Sequence, residues 1–274
     1  MNITFEESNH LYKTVDDENF KWISATTFIS KFHEEFDQEK MARQCSEKKS
    51  GKYKGMTPES IIEAWEEESA RACEMGTRYH ARRELETLNC KTIAINGIDV
   101  PVYHNVTMDD GKKVSTSQVL NEGVYPEFLL YLKTASICGQ ADRVEVVGNK
   151  LNIKDYKSNK HIDKESFNGR NGKKYMLVPL KHLEDCNFNH YQLQLSLYMY
   201  ILLKHNPQLE PGTLEIHHVE FEKSGETKLG FPIYQLDSDG DPIVKKLTIY
   251  ECTYLKNEIK AMIDYSKLHP EILL

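Results

Sequence analysis

Apolar and polar positions change their spacing several times along the chain, and each change marks an element. Residues 2–23 alternate (Ile3, Phe5; Tyr12, Val15; Phe20, Trp22), which predicts short strands around Asp16-Asp17. A helix follows that Ser24 or Thr26 caps, and Asp37 caps a second. Thr57-Pro58-Glu59 joins a capping hydroxyl, a proline at the first helical position and an acid in the first turn. Ile61, Ile62 and Trp65 then keep helical spacing, so helix is expected onward through Gly76 to about Leu88. Asn96-Gly97 and Asp109-Asp110-Gly111 predict hairpins and loops between Cys90 and Glu122. Strands are expected over 124–132, 136–147 and 150–157, then a polar connection over 158–188. An amphipathic helix over 190–205 ends at Asn206-Pro207, and a strand over 214–222, a hairpin near Asp239-Gly240 and a helix over 251–268 complete the chain. No internal repeat or linker interrupts this order. It predicts one elaborated α/β domain with its core at about 58–222, an N-terminal strand and helix extension over 1–57, and a C-terminal hairpin and helix over 223–274.

Composition supports a folded chain: of 274 residues, 39% are hydrophobic and 28% charged, which excludes disorder, collagen and coiled coil. The sequence holds no run of about 18 apolar residues and opens without a basic or apolar leader, so neither a membrane span nor a signal peptide is expected, and a cytoplasmic location is. Cys45, Cys73, Cys90, Cys138, Cys186 and Cys252 form no C-x-x-C pair, which fits reduced thiols rather than a disulfide framework, a zinc knuckle or an iron–sulphur cluster. The net charge of −7 argues against nonspecific coating of nucleic acid. Its distribution changes that picture. Residues 150–182 hold nine Lys or Arg against Asp155, Asp163 and Glu165, while acids gather at Glu59, Glu63, Glu66, Glu67, Glu68 and Glu74. The basic run reads either as a solvated loop or as a phosphate-tracking arm on which Phe167 and Tyr175 offer stacking surfaces.

Candidate chemistry lies in the hairpin between Ile137 and Lys157. If Gly148-Asn149 is its two-residue turn, Val147 opposes Lys150, Val146 opposes Leu151 and Val144 opposes Ile153, all apolar beyond the turn. A slip of one residue scrambles these pairs. The next pair on that face is Asp142 opposite Asp155, two carboxylates with β-carbons about 5 Å apart. Like charges so placed need a shared proton, a cation or exposure at a frayed end. Lys157 projects from the same face, so the trio is either an ordinary surface ion pair or a seat for a hard divalent cation beside an ammonium. Farther on, His190, Gln194 and Tyr198 form one helical stripe beside the apolar stripe of Leu193, Leu197 and Ile201. Gln194 and Tyr198 are either its polar margin or part of a site.

These residues resemble the PD-(D/E)XK nucleases, in particular the RecB-type branch with phage and viral exonucleases. Gly139-Gln140-Ala141-Asp142 is similar to its G-x-x-D element, with Ala141 where the family name has proline, and Asp155-Tyr156-Lys157 to its D-Y-K. Gly76-Thr77-Arg78-Tyr79-His80 resembles its G-x-x-x-H helix, and Gln194-Leu195-Ser196-Leu197-Tyr198 its Q-x-x-x-Y helix. The four elements, in the family's order, span under half the chain. The four-cysteine cluster of some members has no counterpart, and no G-x-x-x-x-G-K-[ST] helicase motif is present.

The resemblance implies a restriction-endonuclease-like core, a central mixed sheet flanked by helices. It also implies a metal-dependent deoxyribonuclease, an exonuclease acting in recombination, repair or replication of a phage-like genome, in the host cytoplasm if phage-encoded. Asp142, Asp155, the Tyr156 carbonyl and His80 are then the ligands of Mg²⁺ or Mn²⁺, with Glu127 a further metal or network residue. Lys157 orients water or stabilises transition-state charge, and Gln194 and Tyr198 position the scissile strand. Lys160, Lys173, Lys174 and Lys181 are the expected DNA contacts, and a recombination or replication protein is the expected partner. A structure-selective endonuclease or junction resolvase, and a catalytically silent DNA-binding protein of the same fold, are the alternatives.

Overall fold

A computed structural model describes residues 2–6, 9, 11–17, 19–115, 117–169 and 172–273. The chain opens with a hairpin of β1 (Ile3–Glu6) and β2 (Leu11–Thr14), then β3 (Ile23–Ser24) and α1 (Ala25–Ser30). Short strands β2 and β3 thus lie on either side of Asp16-Asp17, and β2 pairs with β1. Ser24 caps α1 by accepting from the Thr27 N–H, and Asp37 caps α2 (Gln38–Ser46) in the same way. Thr57 starts α3 (Pro58–Leu88), which runs unbroken for 31 residues. Short ribbons β4 (Thr92–Ile95), β5 (Ile98–Pro101), β6 (Val106–Thr107) and β7 (Lys113–Val114) follow, with Asn96-Gly97 and Asp109-Asp110-Gly111 in their turns.

Central to the fold is the meander β8 (Gly123–Leu132), β9 (Ile137–Val147) and β10 (Lys150–Lys157). Helix α4 (Asn187–His205) carries the chain from β10 to a parallel β11 (Glu210–Phe221). The small ribbon β12 (Lys223–Glu226) and β13 (Pro232–Tyr234) precedes β14 (Val244–Cys252) and α5 (Lys256–Leu268). The sheet runs β14-β11-β10-β9-β3, with β8 also on β9; it is mixed, because β10–β11 and β3–β9 are parallel and the other pairs antiparallel. This is an α/β architecture whose central mixed sheet has helices on both faces. On one, Leu193, Leu197 and Ile201 of α4 pack on Val144, Ile153 and Ile216. On the other, Met75 and Tyr79 of α3 pack on Tyr156, Val219 and Phe221.

One expectation is corrected here. Helix was expected over 251–268, but residues through Cys252 belong to β14, which closes the sheet's edge on β11, and α5 begins only at Lys256. The β14 segment alternates exposed and half-buried positions, and Leu247 and Ile249 face outward, so its period was easily mistaken. The hairpin near Asp239-Gly240 is present in a short form: Leu236 bridges Pro242, flanked by the hydrogen bonds from Asp237 N–H to the Asp241 carbonyl and from Ile243 N–H to the Gln235 carbonyl.

Candidate active site

Register is the first thing the turn at Gly148 decides. Gly148 takes φ +59°, and the β9–β10 ladder pairs Val147 with Lys150, Val146 with Leu151 and Val144 with Ile153, as the apolar pairing requires. The ladder then stops at Arg143↔Lys154, so Asp142 and Asp155 are not a ladder pair. Instead, one Asp142 carboxylate oxygen takes the place of a backbone acceptor, receiving the Tyr156 N–H at 2.6 Å. The strands part because a side chain has replaced a carbonyl.

The neighbouring strand contributes to the same parting. Pro126↔Arg143 and Phe128↔Ala141 bracket Glu127, which therefore lies level with Asp142. Glu127 is left-handed, at φ +48°, a conformation that costs a non-glycine residue on the order of 1 kcal/mol or more. Around this level the alternation slips in both strands. Val144 and Tyr125 reach the core under α4 on one side of it, and Ala141 and Phe128 on the other. Asn105 and Gln140 side-chain amides donate to the Glu127 carbonyl at 3.1 and 3.3 Å, which holds the irregular peptide. Glu127, Asp142 and Asp155 thus occupy one level of three adjacent strands.

Helix α3 delivers the imidazole. A Cβ on Gly76 would stand 3.0 Å from the Ser158 hydroxyl, so the absence of a side chain there lets α3 approach the end of β10. One turn later His80 places Nδ1 3.5 Å from Asp142 and 3.9 Å from Glu127, while its Nε2 lies 3.1 Å from the Tyr156 carbonyl. Ligand atoms of His80, Glu127 and Asp142 all lie within 4.8 Å of one another. The Tyr156 carbonyl, expected as a ligand, serves His80 first: it fixes the ring and leaves Nδ1 facing the acids.

From the other helix, Gln194 Nε2 reaches Asp155 at 3.5 Å and the Tyr198 hydroxyl at 3.0 Å. Both side chains are largely buried, and they brace Asp155 from beneath while forming part of the wall of the hollow beside it. Gly139 makes room for this, because a Cβ there would lie 2.8 Å from the Tyr198 ring. Lys157 Nζ is 2.7 Å from Asp155 and 4.8 Å from the Tyr191 ring centre. The oxygen it contacts, Asp155 Oδ2, is buried, so this ammonium is its partner.

Protonation follows from this crowding. Burial, then the Asp142 charge, pushes Glu127 up to about 8. Burial also outweighs Lys157 at Asp155, and with Asp142 nearby its pKa rises to about 6. Asp142 stays below the usual carboxylate range: burial opposes its charge, but His80, Lys157 and the Tyr156 N–H prevail. Burial works against the His80 imidazolium, yet Asp142, Glu127 and Asp155 raise it to about 9. Two hollows of about 190 and 470 Å³ share His80, Glu127 and Gln140 as walls, and the smaller also reaches Asp142, Gln194, Tyr198 and Tyr12. A hollow of about 510 Å³ lies elsewhere, lined by Tyr79, Arg83, Tyr156 and His217, and holds none of the carboxylates above.

The basic segment divides. Lys160 and Lys181 are exposed and form no ion pair among the described residues. Lys173 sits between Glu165 at 2.9 Å and Glu184 at 2.7 Å, and Lys174 is 3.2 Å from Glu34. Phe167 and Tyr175 are exposed, and Arg170 lies outside the described residues. Sequence reasoning missed Asn105, Gln140 and Tyr12. Gln140 had a signal, its place within Gly139-Gln140-Ala141-Asp142; Asn105 comes from the connection between β5 and β6 and Tyr12 from β2, and local pattern does not reveal them.

Compared with protein-family models, curated proteins and solved structures, the chain shows no match. Among the described residues no helix is long and apolar enough to cross a membrane.

Proposed function

We propose that this chain is a divalent-metal-dependent deoxyribonuclease of the PD-(D/E)XK kind with a restriction-endonuclease-like core, and that it degrades DNA from ends. The observation that carries the reading is one cluster: Glu127, Asp142 and Asp155 on three adjacent strands, His80 among them, and Lys157 beside Asp155. A hard cation fits this donor set. His80 Nδ1, Glu127, Asp142 and Asp155 would hold Mg²⁺ or Mn²⁺, and the imidazole tilts preference toward Mn²⁺. When bound, such an ion lowers the pKa of a coordinated water and offsets phosphate charge.

This chain's own groups do the rest. Asp142 is fixed by the Tyr156 N–H, and His80 by the Tyr156 carbonyl, so the backbone of one residue aligns two metal ligands. Gln194, braced by Tyr198, holds the Asp155 carboxylate in place. Lys157 keeps its charge and offers an ammonium to water or to the charge that develops on the phosphate oxygens. Lys160, three residues on and exposed, contacts the phosphate backbone, as does Lys181.

Digestion of end-labelled single- and double-stranded DNA, with and without a chelator, tests this reading. Metal-dependent cleavage is expected, with closed circles left intact. Asp142→Asn and Lys157→Ala should abolish it while the fold persists by circular dichroism. Wild-type turnover by either variant would falsify the assignment, and cleavage of closed circles would convert the exonuclease into an endonuclease.

A further inference from the structure

Outside this cluster, three chain segments meet around His33, Asp185 and His190. His33 follows α1, Asp185 ends the long connection from β10, and His190 stands in the first turn of α4. Their ligand atoms all lie within 4.8 Å of one another, and all three residues are half-buried. We propose that they form a second metal site, of zinc type, that pins the 158–186 connection and the end of α1 to the start of α4.

Geometry supports it in two ways, and the ring stacking sets what must move. The His33 Nδ1 lies 3.1 Å from the Glu34 carbonyl, which favours the tautomer with its proton there and a free lone pair on Nε2. The two imidazoles stack 4.4 Å apart at 16°, so their in-plane lone pairs run in nearly parallel planes and one ring must rotate to share an ion with the other. His190 Nε2 and Asp185 Oδ1 stand 2.8 Å apart, bridged by a proton. Ligand atoms around tetrahedral zinc are about 3.3 Å apart, so zinc takes that proton's place after an opening of about half an ångström.

The backbone under the ligands is already tied. Leu177 N–H donates to the Phe32 carbonyl at 2.7 Å, Asp185 N–H to the Lys174 carbonyl at 3.0 Å, and His190 N–H to the Cys186 carbonyl at 3.1 Å. Two imidazoles and one carboxylate leave a fourth position for water and select zinc over magnesium. His190 shares its helical stripe with Gln194 and Tyr198, so stiffening the first turn of α4 steadies the helix that braces Asp155.

Cobalt(II) is the probe, because its tetrahedral complexes absorb visible light and six-coordinate ones barely do. The full chain carrying Asp142→Asn, which disables the first cluster, should bind one Co²⁺ per chain with tetrahedral absorption, and Zn²⁺ should displace it. Adding His33→Ala, or His190→Gln, which keeps a hydrogen bond to Asp185 but offers no imidazole, should weaken binding about a hundredfold or more, since even outer partners of a metal ligand cost ten- to a hundredfold. Circular dichroism shows whether these variants fold. No tetrahedral absorption in the Asp142→Asn chain, or undiminished absorption with folded His190→Gln, would overturn the site and leave a plain hydrogen-bonded pair. DNA cleavage plays no part in the readout, so failure here is distinct from failure of the nuclease reading.

Discussion

Metal capture at the carboxylate cluster should expel protons. In the metal-free protein His80 is held near 9 and Glu127 near 8, the first by its acidic neighbours against burial, the second by burial and Asp142. At pH 7 groups with those values are about 99% and about 90% protonated, so an ion bound by His80 Nδ1 and Glu127 displaces roughly two protons. Asp155, near 6, adds only about a tenth of a proton at that pH. Calorimetric titration of Mn²⁺ at pH 7, in buffers of different ionisation enthalpy, reads that number directly. The logarithm of the association constant should rise with a slope that falls from about 2.5 at pH 6 to about two at pH 7, and level off above about 9. His80→Gln should remove about one proton from the count. An affinity independent of pH between 6 and 8, with no proton release, would refute the reasoning, because it would mean the ion does not displace these protons.

The same groups set a stability trend without metal. Asp155, Glu127 and His80 all have folded pKa values above their unfolded ones, so their contribution is full at low pH and is lost as pH rises through about 6, 8 and 9 in turn. The melting temperature of metal-free protein should fall from pH 5 to pH 9, and saturating Mn²⁺ should remove most of that fall. Gly139→Ala drives a methyl into the Tyr198 ring; a loss of about 1–3 kcal/mol in urea denaturation and reduced cleavage are expected, whereas an unchanged midpoint would deny the contact. Lys160→Met should lower the salt slope of DNA binding by about one, and Lys173→Met should change it less, since Glu165 and Glu184 already neutralise that ammonium. Equal effects of the two would mean those ion pairs open on binding.

Much of this arrangement can be read from the residues. The hairpin 137–157 carries its own register in Val144, Val146, Leu151 and Ile153, because only one pairing puts all four in the core. Caps at Asp37 and Thr57 and the turns at Asn96-Gly97 and Gly148-Asn149 are local chemistry, and so they were legible. What the pattern missed is tertiary. The ladder's end at Arg143 depends on a side chain outcompeting a carbonyl for the Tyr156 N–H, and the slip at Glu127 depends on amides from Asn105 and Gln140. Neither leaves a mark in hydrophobic spacing. Strand β14 was hidden because it lies at an open edge, where burial imposes little alternation.

The distribution of charge along the chain has a consequence for assembly. Glu127, Asp142, Asp155 and Lys157 all belong to one local meander, whereas His80 arrives on a helix 76 residues before Tyr156. A meander formed ahead of that helix carries three acids against one ammonium, and the incoming imidazolium is the missing counter-charge. At this end of the sheet, electrostatic attraction is therefore a fastener between distant parts of the chain, working alongside the packing of Tyr79 on Tyr156.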